Sequence, residues 1–129
     1  MSRIYIDTSA AAKLLMDEAE SDALIAWADN EGPVFTATHL LETELRRLAE
    51  RFGLPQADVS AILARFDLYD LPPSLYREAG LLPGPWLRSL DALHLAASVR
   101  LDVDALLTYD IRLTEAAESL GLRAIAPGR

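Results

Sequence analysis

The chain has 129 residues, which suits a single domain spanning residues 1–129, and it contains no cysteine, which excludes disulfides and thiolate metal sites. Apolar residues make up 51% of it and charged residues 25%, so a full core is expected, with apolar surface left for a second subunit, most simply in a homodimer. The net charge of −8 argues against non-specific binding of long DNA, but it permits a metal-dependent nuclease, whose cations reverse the local field, or a basic protein partner.

Short β-rich runs alternate with helical segments along the chain, which predicts an α/β fold with a parallel sheet. The predicted strands are Arg3–Asp7, Val34–Thr36, Phe66–Leu71, Ala105–Thr108 and Arg123–Ala126. The predicted helices begin near Ser9, Ser21, Thr38, Pro55, Pro73, Leu90 and Ile111. The first strand begins too early for a signal peptide and no segment has the length of a membrane span, so we expect a cytoplasmic protein without membrane contact.

Two aspartates follow predicted strands. Asp7 ends the first strand, and Asp110 follows the strand that begins at Ala105. Because ligands of an open parallel sheet bind beyond the carboxyl ends of its strands, both side chains should face one crevice. The alternative for each is a structural role, since aspartate at a strand-to-helix junction commonly caps the helix. For Asp7, however, Ser9 is available as the cap.

Two further acids interrupt the apolar faces of predicted helices. Glu44 lies within an apolar arc of about 140°, where burial of an unpaired carboxylate is unfavourable. Asp91 stands near the start of a helix that is apolar on nearly every side, with Ser89 as its expected cap. The alternatives are a core-facing arginine or an edge position for Glu44, and a favourable helix-dipole interaction for Asp91. Four such acids together favour convergence, and a cluster of oxygen ligands suits Mg²⁺ or Mn²⁺.

Four other residues are weaker candidates for a functional role. His94 lies one turn after Asp91 and is expected to be a hydrogen-bonded core histidine rather than a ligand. Trp86 is expected to pack over the core, with stacking on a nucleobase as the alternative. Arg47 and Arg112 lie close in sequence to the second and fourth acids, and each can hold a phosphate or neutralise an acid.

Four segments of the chain together resemble a PIN domain, and most closely the VapC-type toxin ribonucleases of bacterial toxin–antitoxin pairs. They are Ile4–Ala10, Thr43–Arg47, Leu87–Ala96 and Leu107–Leu113. The first segment alone is weak, whereas all four in this order and at these separations are specific. The resemblance covers nearly the whole chain and implies a three-layer α/β/α sandwich around a central, mainly parallel sheet of four to five strands. The Gly80–Pro85 loop is less typical of the family.

The resemblance also implies a function and a set of site residues. Asp7, Glu44, Asp91 and Asp110 match the acidic quartet of the family. Asp7 and Asp91 are its expected direct ligands of Mg²⁺ (or Mn²⁺), with the other two acids acting directly or through water, and Ser9 matches a small hydroxyl residue that accompanies the first aspartate. The implied activity is metal-dependent endoribonuclease cleavage of RNA phosphodiesters. The implied partners are a second copy of the chain and a VapB-type antitoxin, whose C-terminal segment covers the active-site groove.

Three other functions stay open at this point. A phospho-accepting receiver domain also has an acidic Mg²⁺ pocket, but it needs a lysine late in the chain, and Lys13 is the only lysine here. A phosphatase with Asp7 as nucleophile would carry a second acid at position 9, where this chain has Ser9. A non-catalytic PIN-like interaction module would keep the fold and the acids without cleaving RNA.

Overall fold

A parallel sheet of five strands forms the centre of the protein, in a computed structural model that describes residues 2–129. The strands are β1 (Arg3–Ile6), β2 (Val34–Thr38), β3 (Asp67–Tyr69), β4 (Ala105–Leu107) and β5 (Ala124–Ile125). They lie side by side in the order β3-β2-β1-β4-β5, and each neighbouring pair is parallel. The α/β fold predicted from the sequence is therefore confirmed.

Helices cover both faces of this sheet. They are α1 (Thr8–Leu15), α2 (Ser21–Glu31), α3 (Leu40–Phe52), α4 (Gln56–Leu63), α5 (Pro73–Gly80), α6 (Ser89–Arg100) and α7 (Ile111–Ser119). One apolar core contains Leu24, Leu41 and Val59 from α2, α3 and α4, and a second contains Leu75, Leu95 and Leu113 from α5, α6 and α7. The result is a three-layer α/β/α sandwich. None of the helices described between residues 2 and 129 combines the length and the hydropathy needed to cross a membrane.

The side chains of β1 show how a short strand serves both cores. Ile4 and Ile6 belong to the first core, whereas Tyr5 between them belongs to the second. Successive side chains of a strand point to opposite faces of the sheet, so each face receives its own residues. All three are buried because helices cover both faces of the sheet, and strands flank β1 on both sides. A central strand of this kind holds its carboxyl end in a fixed position.

The strand order places a ligand-binding crevice at one defined point. From β1 the chain continues to β2 and β3 on one side of the sheet, and it later adds β4 and β5 on the other side. Between β1 and β4 the succession of strands reverses, and ligands of such sheets bind beyond the carboxyl ends of the strands at this reversal. Asp7 directly follows β1, and Asp110 follows β4 by three positions. Both aspartates therefore lie where the fold provides a crevice.

Some predicted element boundaries and caps were wrong. Thr38 ends β2 instead of starting a helix, because the strand continues in register with β3 as far as Tyr69. Asp7, not Ser9, caps α1, since the Asp7 side chain accepts a hydrogen bond from the Ala10 amide. Ser89 is the first residue of α6, and no side chain caps that helix. Both helices begin one or two residues earlier than predicted, which moves each serine from the cap into the helix.

Candidate active site

Asp7 is a buried carboxylate held by three neighbours. Its side chain accepts hydrogen bonds from Ser9 Oγ at 2.8 Å, from the Ala10 amide at 3.0 Å and from Thr108 Oγ1 at 2.6 Å. Burial raises the pKa of Asp7 above its ordinary value, although these hydrogen bonds and nearby His94 oppose the shift. The exposed fraction of Asp7 is only 3%, so its orientation is fixed by the protein rather than by water.

Glu44 approaches the same region from α3 and is paired with a histidine. Its Oε1 lies 2.6 Å from Nε2 of His94, whose other ring nitrogen, Nδ1, lies 2.7 Å from the Tyr5 hydroxyl. Burial raises the pKa of Tyr5 well above its ordinary value, so the phenol keeps its proton and can donate it to Nδ1. In that arrangement the Nε2–H group donates to Glu44. The partner of Glu44 is therefore a histidine and not the arginine that was one of the alternatives, and the expected hydrogen-bonded core histidine is confirmed.

Asp91 differs from the other acids because the protein supplies no donor to its carboxylate. It lies in the first turn of α6 and is half-buried. Burial raises the pKa of Asp91, and Asp110, Asp7 and Glu44 raise it further through their negative charge. His94 opposes this shift through its charge, but no hydrogen bond or ion pair from residues 2–129 reaches the Asp91 side chain. Asp91 therefore lies within electrostatic reach of the other three acids.

Asp110 has the capping role that the sequence left open as its alternative, and it also influences Asp91. It caps α7, because its Oδ1 accepts hydrogen bonds from the Arg112 and Leu113 amides at 2.8 Å and 3.1 Å. Among the acids, its negative charge has the largest effect in raising the pKa of Asp91. Its own amide donates to Thr108 Oγ1 at 3.1 Å, and Thr108 in turn donates to Asp7. One threonine therefore connects the ends of β1 and β4.

The four carboxylates influence one region without forming a ready-made coordination sphere. Within residues 2–129, no three histidine, cysteine, aspartate or glutamate side chains lie close enough together to form a metal-binding group. The contacts above give the reason, since three of the acids are turned toward donors of the protein. Carboxylates repel one another when no cation lies between them. A divalent ion would therefore have to draw oxygens from these positions toward Asp91.

Of the remaining candidate residues, one contacts the acids and the other three are exposed. Ser9 donates to Asp7 and lies 3.3 Å from Thr108 Oγ1, so it positions the aspartate. Arg47 and Arg112 are both exposed, and neither forms an ion pair with a residue in the described range 2–129. Trp86 is 78% exposed, so its expected packing over the core was wrong.

Sequence reasoning missed the contribution of Thr108 and the identity of the Glu44 partner. The only signal for Thr108 was a hydroxyl side chain at the end of an apolar strand. The contact between His94 and Glu44 joins residues 50 positions apart in the chain, and the sequence alone carries no pairing information at that distance. Its only indication was a polar ring on a helix that is otherwise apolar.

Comparison with known proteins identifies the family. The PIN domain family model matches residues 4–119, a range that contains all four acids. Ribonuclease VapC35 of Mycobacterium tuberculosis (strain ATCC 25618 / H37Rv) is 42% identical over an alignment of 134 positions that covers 98% of each protein.

Solved structures share the fold. The crystal structure of Mycobacterium tuberculosis VapC20, described as a Sarcin-Ricin loop cleaving toxin, superposes with a TM-score of 0.75 at 20% identity and covers 88% of this chain and 94% of that one. VapBC2 from Rickettsia felis, bound to a DNA fragment from its promoter, gives a TM-score of 0.71 at 12% identity, with 97% and 98% covered. The family match over most of the chain and the close relative agree, and the protein belongs to the PIN domain family as a VapC-type member.

Proposed function

We propose that this protein is a metal-dependent endoribonuclease, the toxin of a VapBC-type toxin–antitoxin pair, and that Asp7, Glu44, Asp91 and Asp110 form its active site. The observation that carries the proposal is the Asp91 carboxylate, which is half-buried, lacks a donor and lies in the field of three other acids. A charge in such a place is unfavourable unless a cation balances it. The relative named Ribonuclease VapC35 supports RNA as the substrate.

The donor set fits a hard divalent cation. PIN domain ribonucleases depend on divalent metal ions, and the proposed ligands here are carboxylate oxygens alone, which Mg²⁺ and Mn²⁺ prefer. We assign Asp7 and Asp91 as direct ligands and the other two acids as ligands either directly or through water. When bound, the cation supplies a Lewis acid that lowers the pKa of a water molecule and offsets negative charge on the phosphodiester.

The protein's own part in the reaction is to position the carboxylates and the substrate phosphate. Ser9 and Thr108 hold the Asp7 carboxylate in one orientation, and His94 does the same for Glu44. Fixed groups of this kind favour catalysis because they need no rearrangement as charge develops. The exposed guanidinium of Arg112, beside Asp110 at the start of α7, is placed to hold a substrate phosphate, and Arg47 on α3 is the second candidate.

The biological setting follows from the same relatives. A structure in which a toxin of this fold is assembled with its antitoxin, VapBC2, supports a VapB-type partner for this chain. The C-terminal segment of that partner would cover the acidic crevice. A homodimer, a cytoplasmic location and a single domain over residues 1–129 complete the proposal.

The test is cleavage of a structured RNA by the purified chain. We expect cleavage in Mg²⁺ or Mn²⁺, none in EDTA, and none by Asp7→Asn or Asp91→Asn, both of which should stay folded. Asp17→Asn is the matched control, because this exposed aspartate lies outside the crevice, and it should cleave at the parental rate. Parental cleavage by Asp91→Asn would refute the site, and a folded protein inactive with every cation would indicate a non-catalytic interaction module.

A further inference from the structure

A groove beside the acidic crevice has two walls of different chemistry. One wall is the segment that leads into α6 and contains Pro83, Gly84, Trp86 and Leu87. The other is a stripe along α7 that contains Arg112, Glu115, Ala116 and Ser119, spaced so that all four side chains lie on one helical face. The groove has a volume of about 580 Å³, which lies within the usual range for small-ligand sites. Apart from Arg112, no residue of either wall has a role in the proposed cleavage chemistry described above.

Both walls of the groove lead back to the candidate active site. The Arg112 amide donates to Asp110 at the start of α7. On the opposite wall, Leu87 is followed by Arg88, the residue that precedes α6, and Asp91 lies in the first turn of that helix. Both walls are therefore directly connected in the chain to acids of the candidate site, Asp110 on one side and Asp91 on the other.

We propose that this groove binds a nucleobase of the RNA substrate next to the cleaved bond, with the base stacked on Trp86 and its phosphate on Arg112. The inference rests on the proposed function. Trp86 is 78% exposed, although a tryptophan without a partner is normally covered by the protein. Aromatic faces that line a groove bind single-stranded nucleic acid by stacking, because every base has a π-face.

The charges of the groove determine how the RNA would lie in it. Arg112, at the end nearest the acids, has no carboxylate partner among residues 2–129, so its guanidinium is available for a phosphate. Glu115 lies about one turn further along α7 and repels a second phosphate. Its carboxylate can instead accept a hydrogen bond from the exocyclic amino group of a base. The phosphate therefore belongs at the Arg112 end of the groove and the base beside Glu115.

Tryptophan fluorescence provides a direct test, because the chain has only two tryptophans. Trp27 is partly buried and packs against Phe35, with ring centroids 6.3 Å apart, so Trp86 is the more accessible indole, and the Trp86→Phe variant reports the contribution of Trp27. The full chain is titrated in EDTA with a short single-stranded RNA of mixed sequence. We expect quenching of Trp86 fluorescence, and little quenching by an abasic analogue that keeps the phosphates. Equal quenching by both would overturn the stacking arrangement.

Matched variants separate stacking from a general loss of structure. Trp86→Ala should weaken RNA binding by about tenfold or more, whereas Trp86→Phe, which keeps an aromatic face, should retain most of the affinity. Phe52→Ala removes another exposed aromatic, at the end of α3, and should bind like the parent. In a plot of log affinity against log salt concentration, Arg112→Ala should make the negative slope shallower by about 0.7, which is the value for one phosphate contact on a single strand. Arg51→Ala is the control and should leave the slope unchanged.

The outcomes also separate this inference from its alternatives. If Trp86→Ala binds the RNA with parental affinity, the nucleobase site is refuted. If that variant keeps RNA affinity but loses binding to the antitoxin, the groove is a protein-docking surface and the inference fails. Because binding is measured without a cation, a Trp86-dependent quench in a protein that never cleaves RNA would count against the proposed function alone. Parental cleavage without any quench would count against the groove alone.

Discussion

Replacing Asp91 with asparagine should stabilise the metal-free protein. The Asp91 carboxylate is half-buried and has no donor, and its pKa is raised by burial and by the charge of Asp110. The folded state therefore binds this proton more tightly than the unfolded state does. By linkage, stability is lost as pH rises from about 4, the ordinary value, through the raised pKa of the folded state. At neutral pH the charge destabilises the fold, and asparagine removes the charge at nearly the same size.

The same substitution should abolish stabilisation by Mn²⁺. A ligand that binds only the folded state at 100 times its Kd contributes about 2.7 kcal/mol. A chain of 129 residues has an unfolding entropy near 0.27 kcal/mol/K, at about 2.1 cal/mol/K per residue. The Tm of the parent should therefore rise by about 10 °C at that concentration. The variant lacks one of the two proposed direct ligands and should show little of this shift.

Thermal unfolding in EDTA and in Mn²⁺ measures both effects. In EDTA at neutral pH the variant should melt at least about 2 °C higher than the parent, which corresponds to about 0.5 kcal/mol, the size of ordinary surface effects. This gain should shrink toward pH 4, where the parental carboxyl is protonated too. Asp17→Asn serves as the control and should behave like the parent in both solutions. A lower melting temperature for Asp91→Asn in EDTA, or a full Mn²⁺ shift, would refute the reasoning.

Two further substitutions test how the other acids are positioned. Thr108→Val keeps the size of the side chain but removes the donor to Asp7 Oδ2 and the acceptor for the Asp110 amide. It should lower the free energy of unfolding by about 2 to 3 kcal/mol in urea at pH 7, and a change below about 0.5 kcal/mol would contradict this role. His94→Ala removes the buried ring that holds Glu44, so Mn²⁺ affinity measured by titration calorimetry should fall by about tenfold or more. His94→Gln keeps a donor and should recover part of that affinity, and equal losses in both variants would indicate a packing role alone.

Local patterns in the sequence were enough to predict the α/β fold and the positions of Asp7 and Asp110 after strands. The alternation of side chains in β1 and the position of Asp7 and Asp110 after strands are short-range features, and parallel strands bring their carboxyl ends to one edge. The place of Glu44 within an apolar stripe of α3 is equally local. Each of these patterns depends on a few neighbouring residues, and tertiary packing does not change it.

Other features depend on contacts that no local pattern contains. The Glu44 partner could not be chosen from the sequence because His94 reaches it only after α3 and α6 have packed on the sheet. The exposure of Trp86 depends on the path of the loop before α6, which composition does not specify. The predicted caps were wrong because a helix that starts one or two residues earlier moves a serine from the cap position into the first turn.

The positions of the acids at helix starts explain how the fold tolerates their charge. Asp7 and Asp110 cap α1 and α7, and Asp91 lies in the first turn of α6, so three helix N-termini face the crevice. The positive end of each helix dipole offsets part of the negative charge gathered there. Asp7 and Asp110 also accept hydrogen bonds from amides of their own helices, whereas Asp91 accepts none from α6. The charge that the protein leaves unbalanced is therefore concentrated at Asp91, where a divalent cation has the most to neutralise.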